Sequence, residues 1–188
     1  MGKVVFDIET KNSFADVGGD QNIDKLLVSV VGVYEYDKDE YLCFGEDELD
    51  KLGEILRDAN PLIGFWSKQF DVPVLQKHFK FNLAAVPHYD ILGEIVKVLG
   101  RRISLNILAE ANLGEKKTSH GLEAIEMYRR GEMERLKEYC MQDVKITKKI
   151  FDLIRNQGYL WIPERGRPQM TKVELVFEEK AVSQAKLF

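Results

Sequence analysis

Cysteine, histidine and proline are scarce in this 188-residue sequence, at two, three and five residues. No apolar run is long enough to span a bilayer. Two cysteines, Cys43 and Cys140, cannot build the disulfide framework of a small secreted domain. They read as reduced core thiols in apolar surroundings on different elements. His78, His88 and His120 are scattered, and no Cys or His grouping has zinc spacing. The N-terminus lacks a basic-then-apolar signal pattern, so a cytoplasmic location is expected. Positive charge is also short: 27 − 31 = −4. That excess weighs against a broad basic surface for nucleic acid. It leaves room for a metal-dependent nuclease, which needs acids for its ions and only a local basic track for phosphates.

The rest of the composition, 45% hydrophobic and 31% charged, is that of a soluble globular chain. One domain over residues 1–178 followed by a tail over 179–188 is the simplest division. "VVFDIE" reads as a first strand. "LLVSVVGVYEY" (26–36) and "EYLCFG" (40–45) read as a hairpin. An amphipathic helix is expected over 46–60, a short apolar strand at "PLIGFW", and a helix over 71–80. Residues 87–130 read as helices and loops, 132–156 as the longest helix, and "KVELVFEE" (172–179) as a last strand. This order predicts an α/β fold with an antiparallel start and helices flanking a mixed sheet.

Four acids stand out. On the first strand alternate side chains share a face, so Asp7 and Glu9 point the same way. A strand gives its acids no local capping role. In the long helix Asp143 projects from the middle of the apolar arc formed by Leu136, Tyr139, Cys140, Ile146 and Ile150, with Tyr139 one turn back. A lone Asp there needs a partner. Asp71 follows a strand and opens a helix, where it reads equally as a first-turn acid. If the four converge, each pair about 4 Å apart repels by roughly 4 kcal/mol at an effective dielectric near 20. Such a cluster takes up protons or binds divalent cations. All-oxygen ligands suit Mg²⁺ or Mn²⁺, and two such ions make a site for in-line phosphoryl displacement.

"FDIET", "FDVPVL" and the Tyr-x-x-x-Asp of "YCMQD" occur in the order of the three exonuclease motifs of the DEDD superfamily. The chain resembles the tyrosine branch of that superfamily, as found in the proofreading exonuclease domain of family B DNA polymerases, over roughly residues 3–157. The resemblance implies a ribonuclease H-like fold with a mixed five-stranded sheet. It also implies 3′→5′ removal of nucleotides from single-stranded DNA ends, using two Mg²⁺ or Mn²⁺. Carried over, Asp7 would bridge both ions, Glu9 and Asp143 would complete the site that activates water, and Asp71 would hold the second ion. Tyr139 would orient the attacking water, since a phenol with a pKa near 10 is a poor general base. Replication and repair are the settings that follow.

One departure is Trp66, which stands where family members often have Asn. It either stacks on a terminal base or belongs to the core. Phe14, in the loop after the first motif, would wedge between terminal bases by the same analogy. Lys116 and Lys117 are the expected phosphate contacts. At the end of the chain, Gln184, Leu187 and Phe188 fit the Gln-x-x-Leu-Phe pattern of peptides that bind the bacterial sliding clamp, unless the Leu-Phe pair folds back on the core. Two rival functions stay open: an exoribonuclease of the same fold, and a non-catalytic adaptor docked through the tail.

Overall fold

The computed structural model describes residues 2–115, 121–167 and 169–178. Strand β1 (Val4–Thr10) is the centre of a five-stranded sheet. Strands β2 (Val28–Glu35) and β3 (Glu40–Gly45) continue it as an antiparallel meander on one side. Strands β4 (Leu62–Gly64) and β5 (His88–Asp90) add in parallel on the other. The order is β3-β2-β1-β4-β5, the ribonuclease H-like arrangement of a mixed sheet between helices.

The two faces of β1 diverge as its alternation dictates. Val4, Phe6 and Ile8 pack with Leu52 and Leu56 of helix α1 (Leu49–Arg57) and with Val74 and Leu75 of helix α2 (Asp71–Gln76). Val5 lies on the opposite face, in a second cluster with Tyr34, Ile63 and Ile146, Ile150 and Ile154 of helix α6 (Met133–Gln157). Helices α3 (Ile91–Leu99), α4 (Leu105–Leu113) and α5 (Gly121–Arg129) join this second layer's surroundings. Strands β6 (Tyr159–Pro163) and β7 (Met170–Glu174) form a separate hairpin beside α4, where Asn112 bonds both the N–H and the C=O of Trp161.

Four elements differ from the sequence expectation, the last strand among them, which is Met170–Glu174 and not 172–179. Strand β5 lies inside the 87–130 stretch read as helices and loops; three residues are too few to show a period of two, and the strand exists through its ladder to β4. Helix α2 stops at Gln76 rather than near residue 80, because the Gln76 amide bonds the carbonyl of Phe81 and the N–H of Leu83 and turns the chain out of the helix. Helix α1 starts at Leu49 after a 3₁₀ turn over Glu46–Glu48. Among the described residues no helix is long and apolar enough to cross a membrane.

Candidate active site

Strand β1 loses its β4 partner after Val5, since β4 ends at Gly64. The backbone N–H of Ile8 therefore has no neighbouring strand to bond. Asp71, the first residue of α2, supplies the acceptor: its Oδ1 lies 3.2 Å from the Ile8 nitrogen. That bond brings the Asp71 carboxyl against the stretch of β1 between Asp7 and Glu9. Asp71 is 3% exposed. Burial, and after it the charge of Asp90, pushes its pKa up to about 7; the N–H groups of Asp71 itself and of Ile8 act against the rise.

From the opposite face α6 comes down on the sheet. Its approach depends on Gly32, which stands opposite Asp7 in the β1–β2 ladder. A Cβ on Gly32 would lie 2.8 Å from Val144 Cγ2 and 3.1 Å from both Cys140 Sγ and Met141 Sδ. The missing side chain is what lets this turn of α6 sit on the strands. Cys140 Sγ reaches the carbonyl oxygen of Asp7 at 3.5 Å. Ligand atoms of Asp7, Glu9 and Cys140 all lie within 4.8 Å of one another.

Tyr139 lies one turn before Asp143 on α6. Its phenol is 7% exposed in the cluster of Val30, Ala124, Leu136 and Cys140. Its pKa is pushed well above the ordinary phenol range, by burial first and then by the negative charges of Glu9, Asp143 and Asp7, with Glu123 of α5 last. Asp7 and Glu9 of β1 and Asp143 of α6 are thus near enough for their charges to act on the phenol, while Asp71 is tied to β1 through the Ile8 N–H. Among the described residues the possible ligand atoms that lie together are those of Asp7, Glu9 and Cys140, and Asp71 and Asp143 do not join that group; the two β1 carboxylates are oxygen donors of the kind a hard divalent cation takes.

Around these residues the other sequence candidates divide. Trp66 lies two residues past the end of β4, half-buried against the α6-side core. Its backbone is left-handed at φ 65°, a conformation that Asn tolerates and a bulky residue does not. Asp90 holds it there, accepting from the N–H groups of Trp66 at 2.9 Å and Lys68 at 3.1 Å, and the Arg102 guanidinium lies 4.1 Å above the indole. Phe14 packs edge-to-face on Phe70, 5.8 Å between centroids, in the α1–α2 core. Lys77, at the C-cap of α2, is committed to the carbonyls of Asp24 and Leu26. Lys116, Lys117, Gln184, Leu187 and Phe188 lie outside the described residues.

Sequence reasoning missed Asp90, Gly32 and the reach of Cys140 to Asp7. Asp90 caps α3 by accepting from Gly93 at 3.0 Å as well as bonding the Trp66 loop; an Asp just before an apolar stripe carries the N-cap signal. The cysteines are free thiols in the apolar cluster of Val30, Ala124 and Leu136, as expected, but Cys140 also reaches the Asp7 carbonyl.

A family model described as the RNase H superfamily matches residues 4–155. Among solved structures, the family B DNA polymerase from the hyperthermophilic archaeon Pyrobaculum calidifontis is similar at a TM-score of 0.60 and 17% identity, over 81% of this chain and 24% of the polymerase. At that identity the likeness is one of fold, and the chain spans about a quarter of that polymerase. No curated protein matches the chain.

Proposed function

From the premise that the chain belongs to the RNase H superfamily, which supports a nuclease-type function, we propose that it is a metal-dependent 3′→5′ exonuclease. Its substrate is single-stranded DNA ends, and its products are nucleoside monophosphates. The observation that carries this reading is the closeness of Asp7, Glu9 and Cys140, whose possible ligand atoms lie within 4.8 Å of one another, with Asp71 bound to the backbone between the two β1 acids.

Asp7, Glu9, Asp71 and Asp143 would hold a pair of Mg²⁺ or Mn²⁺ ions. When bound, such ions lower the pKa of the attacking water and stabilise the leaving oxygen. The chain's own residues do the rest. Tyr139, buried among negative charges, keeps its proton throughout the working pH range and donates a hydrogen bond. It positions the water and abstracts nothing. Trp66 and Phe14 contact the terminal nucleotides; Lys116 and Lys117 contact phosphates. Gln184, Leu187 and Phe188 dock on a sliding clamp, which would place the activity in DNA replication or repair.

Digestion of DNA and RNA strands labelled at either end tests this. A 5′-labelled DNA strand shortens stepwise in Mg²⁺, and a 3′-labelled one releases its label in the first turnover. Preference for the RNA strand would establish the exoribonuclease reading instead, since sugar choice rests on the fit around the 2′ position. Absence of digestion with Mg²⁺ and with Mn²⁺ would leave the adaptor.

A further inference from the structure

We propose that Cys43 and Cys140 form a reversible disulfide that switches the active site off. Cys43 of β3 stands opposite Gly32 of β2, which stands opposite Asp7 of β1. The three residues make one row across the sheet, on the face that α6 covers. The sulfur of Cys140 hangs over the middle of that row, 3.1 Å from where a Gly32 Cβ would be. It bonds the Asp7 carbonyl on one side. On the other side lies Cys43, which packs against the same small core as Cys140. The absent side chain at Gly32 thus opens the space for the Cys140 sulfur beside Cys43, and ties the pair to the strand that carries the catalytic acids.

The pair is also asymmetric in access. Cys140 is fully buried and Cys43 half-buried, so a small oxidant reaches Cys43 first. The Cys140 thiol and then the charge of Lys137 favour its thiolate. With hydrogen peroxide as oxidant, the Cys43 sulfur attacks one peroxide oxygen, the O–O bond breaks, and water leaves a sulfenic acid. The Cys140 sulfur then attacks the Cys43 sulfur, the S–O bond breaks, and a second water leaves with the Cys140 proton. Two thiols are oxidised by two electrons and one peroxide is reduced to two waters. A dithiol reverses the step by exchange.

A disulfide draws the sulfurs to about 2.0 Å, closer than two thiols in contact. Cys140 must leave the Asp7 carbonyl, and α6 carries Tyr139 and Asp143 with it. A misplacement of about 1 Å costs on the order of a hundredfold in rate. The loss of activity rests on the nuclease reading; the disulfide does not.

Full-length chain is treated with hydrogen peroxide and examined by intact mass after alkylation of free thiols, by Mn²⁺ binding, and by oligonucleotide digestion. The expected result is loss of two hydrogens with no alkylation, weakened Mn²⁺ binding, and roughly a hundredfold slower digestion, all restored by dithiothreitol. Cys43→Ser, which leaves the acids untouched, keeps its activity through the same treatment. Both thiols still alkylating after peroxide would overturn the proposal. So would a disulfide that changes neither Mn²⁺ binding nor digestion, or a Cys43→Ser chain inactivated as fast as the parent. A reduced chain with no digestion at all sinks the nuclease reading instead, and the mass and Mn²⁺ measurements still decide the switch.

Discussion

Asp71 spends its one well-defined hydrogen bond on a backbone N–H of β1, and its carboxyl is raised to about 7 by burial and by Asp90. An acid whose folded pKa exceeds its ordinary value near 3.8 keeps in the fold a proton that the unfolded chain has already released. Its contribution to stability is therefore full below about pH 4 and is lost as pH rises to about 7. The metal-free chain should melt at a lower temperature at pH 8 than at pH 5, and Asp71→Asn should flatten that dependence. Calorimetry on both chains reads the difference; identical slopes would remove the buried acid from the account. Tyr139 likewise keeps its proton in the fold, its phenol raised by burial and by neighbouring negative charge. Tyr139→Phe deletes one hydrogen bond worth about 1–1.5 kcal/mol. Digestion should slow by roughly tenfold, and the pH–rate profile should keep its shape between about pH 6 and 9. A profile that loses a limb would make the phenol a proton carrier instead.

Helix α6 and strand β1 make the site only because they touch, and Gly32 sets that contact. Gly32→Ala puts a methyl group into Val144, Cys140 and Met141. Overpacking of this kind costs typically 1–3 kcal/mol, which urea unfolding measures. Because the displaced turn bears Tyr139 and leads into Asp143, digestion should fall by more than the stability loss explains, about a hundredfold under conditions where the variant stays folded. Full activity in a destabilised Gly32→Ala chain would show that the acids do not depend on the closeness of α6. Both elements were legible in the sequence. A period of two put Asp7 and Glu9 on one face, and a period near 3.6 put Asp143 in an apolar arc, where an acid is conspicuous. Even so, the arc was incomplete: Val144 and Phe151 of α6 are fully buried and were not part of it. What stayed hidden is what long-range packing creates. Three-residue β5 has no period to read. Asp90 looks like an ordinary helix cap until Trp66 and Lys68 are folded back onto it. Gly32 looks like a weak spot in a strand until α6 lies across it, and only the β2–β3 register places Cys43 beside Cys140.

For the molecule as a whole, the central strand of five carries Asp7 and Glu9, α2 brings Asp71 to the Ile8 N–H, and α6 packs on the same sheet with Tyr139 and Asp143, from segments more than 60 residues apart in sequence. A chain of net charge −4 is not drawn to phosphates by its overall field; in the proposed function, bound cations would supply the local attraction. The central claim is therefore that three separate elements share one cation pocket, and Mn²⁺ binding to the substrate-free chain, followed by electron paramagnetic resonance, tests it most directly. Asp7→Asn on β1, Asp71→Asn on α2 and Asp143→Asn on α6 should each weaken the same Mn²⁺ binding by tenfold or more, about 1.4 kcal/mol, with the fold retained by circular dichroism. A chain that binds no Mn²⁺, or one whose binding survives all three substitutions unchanged, would contradict it.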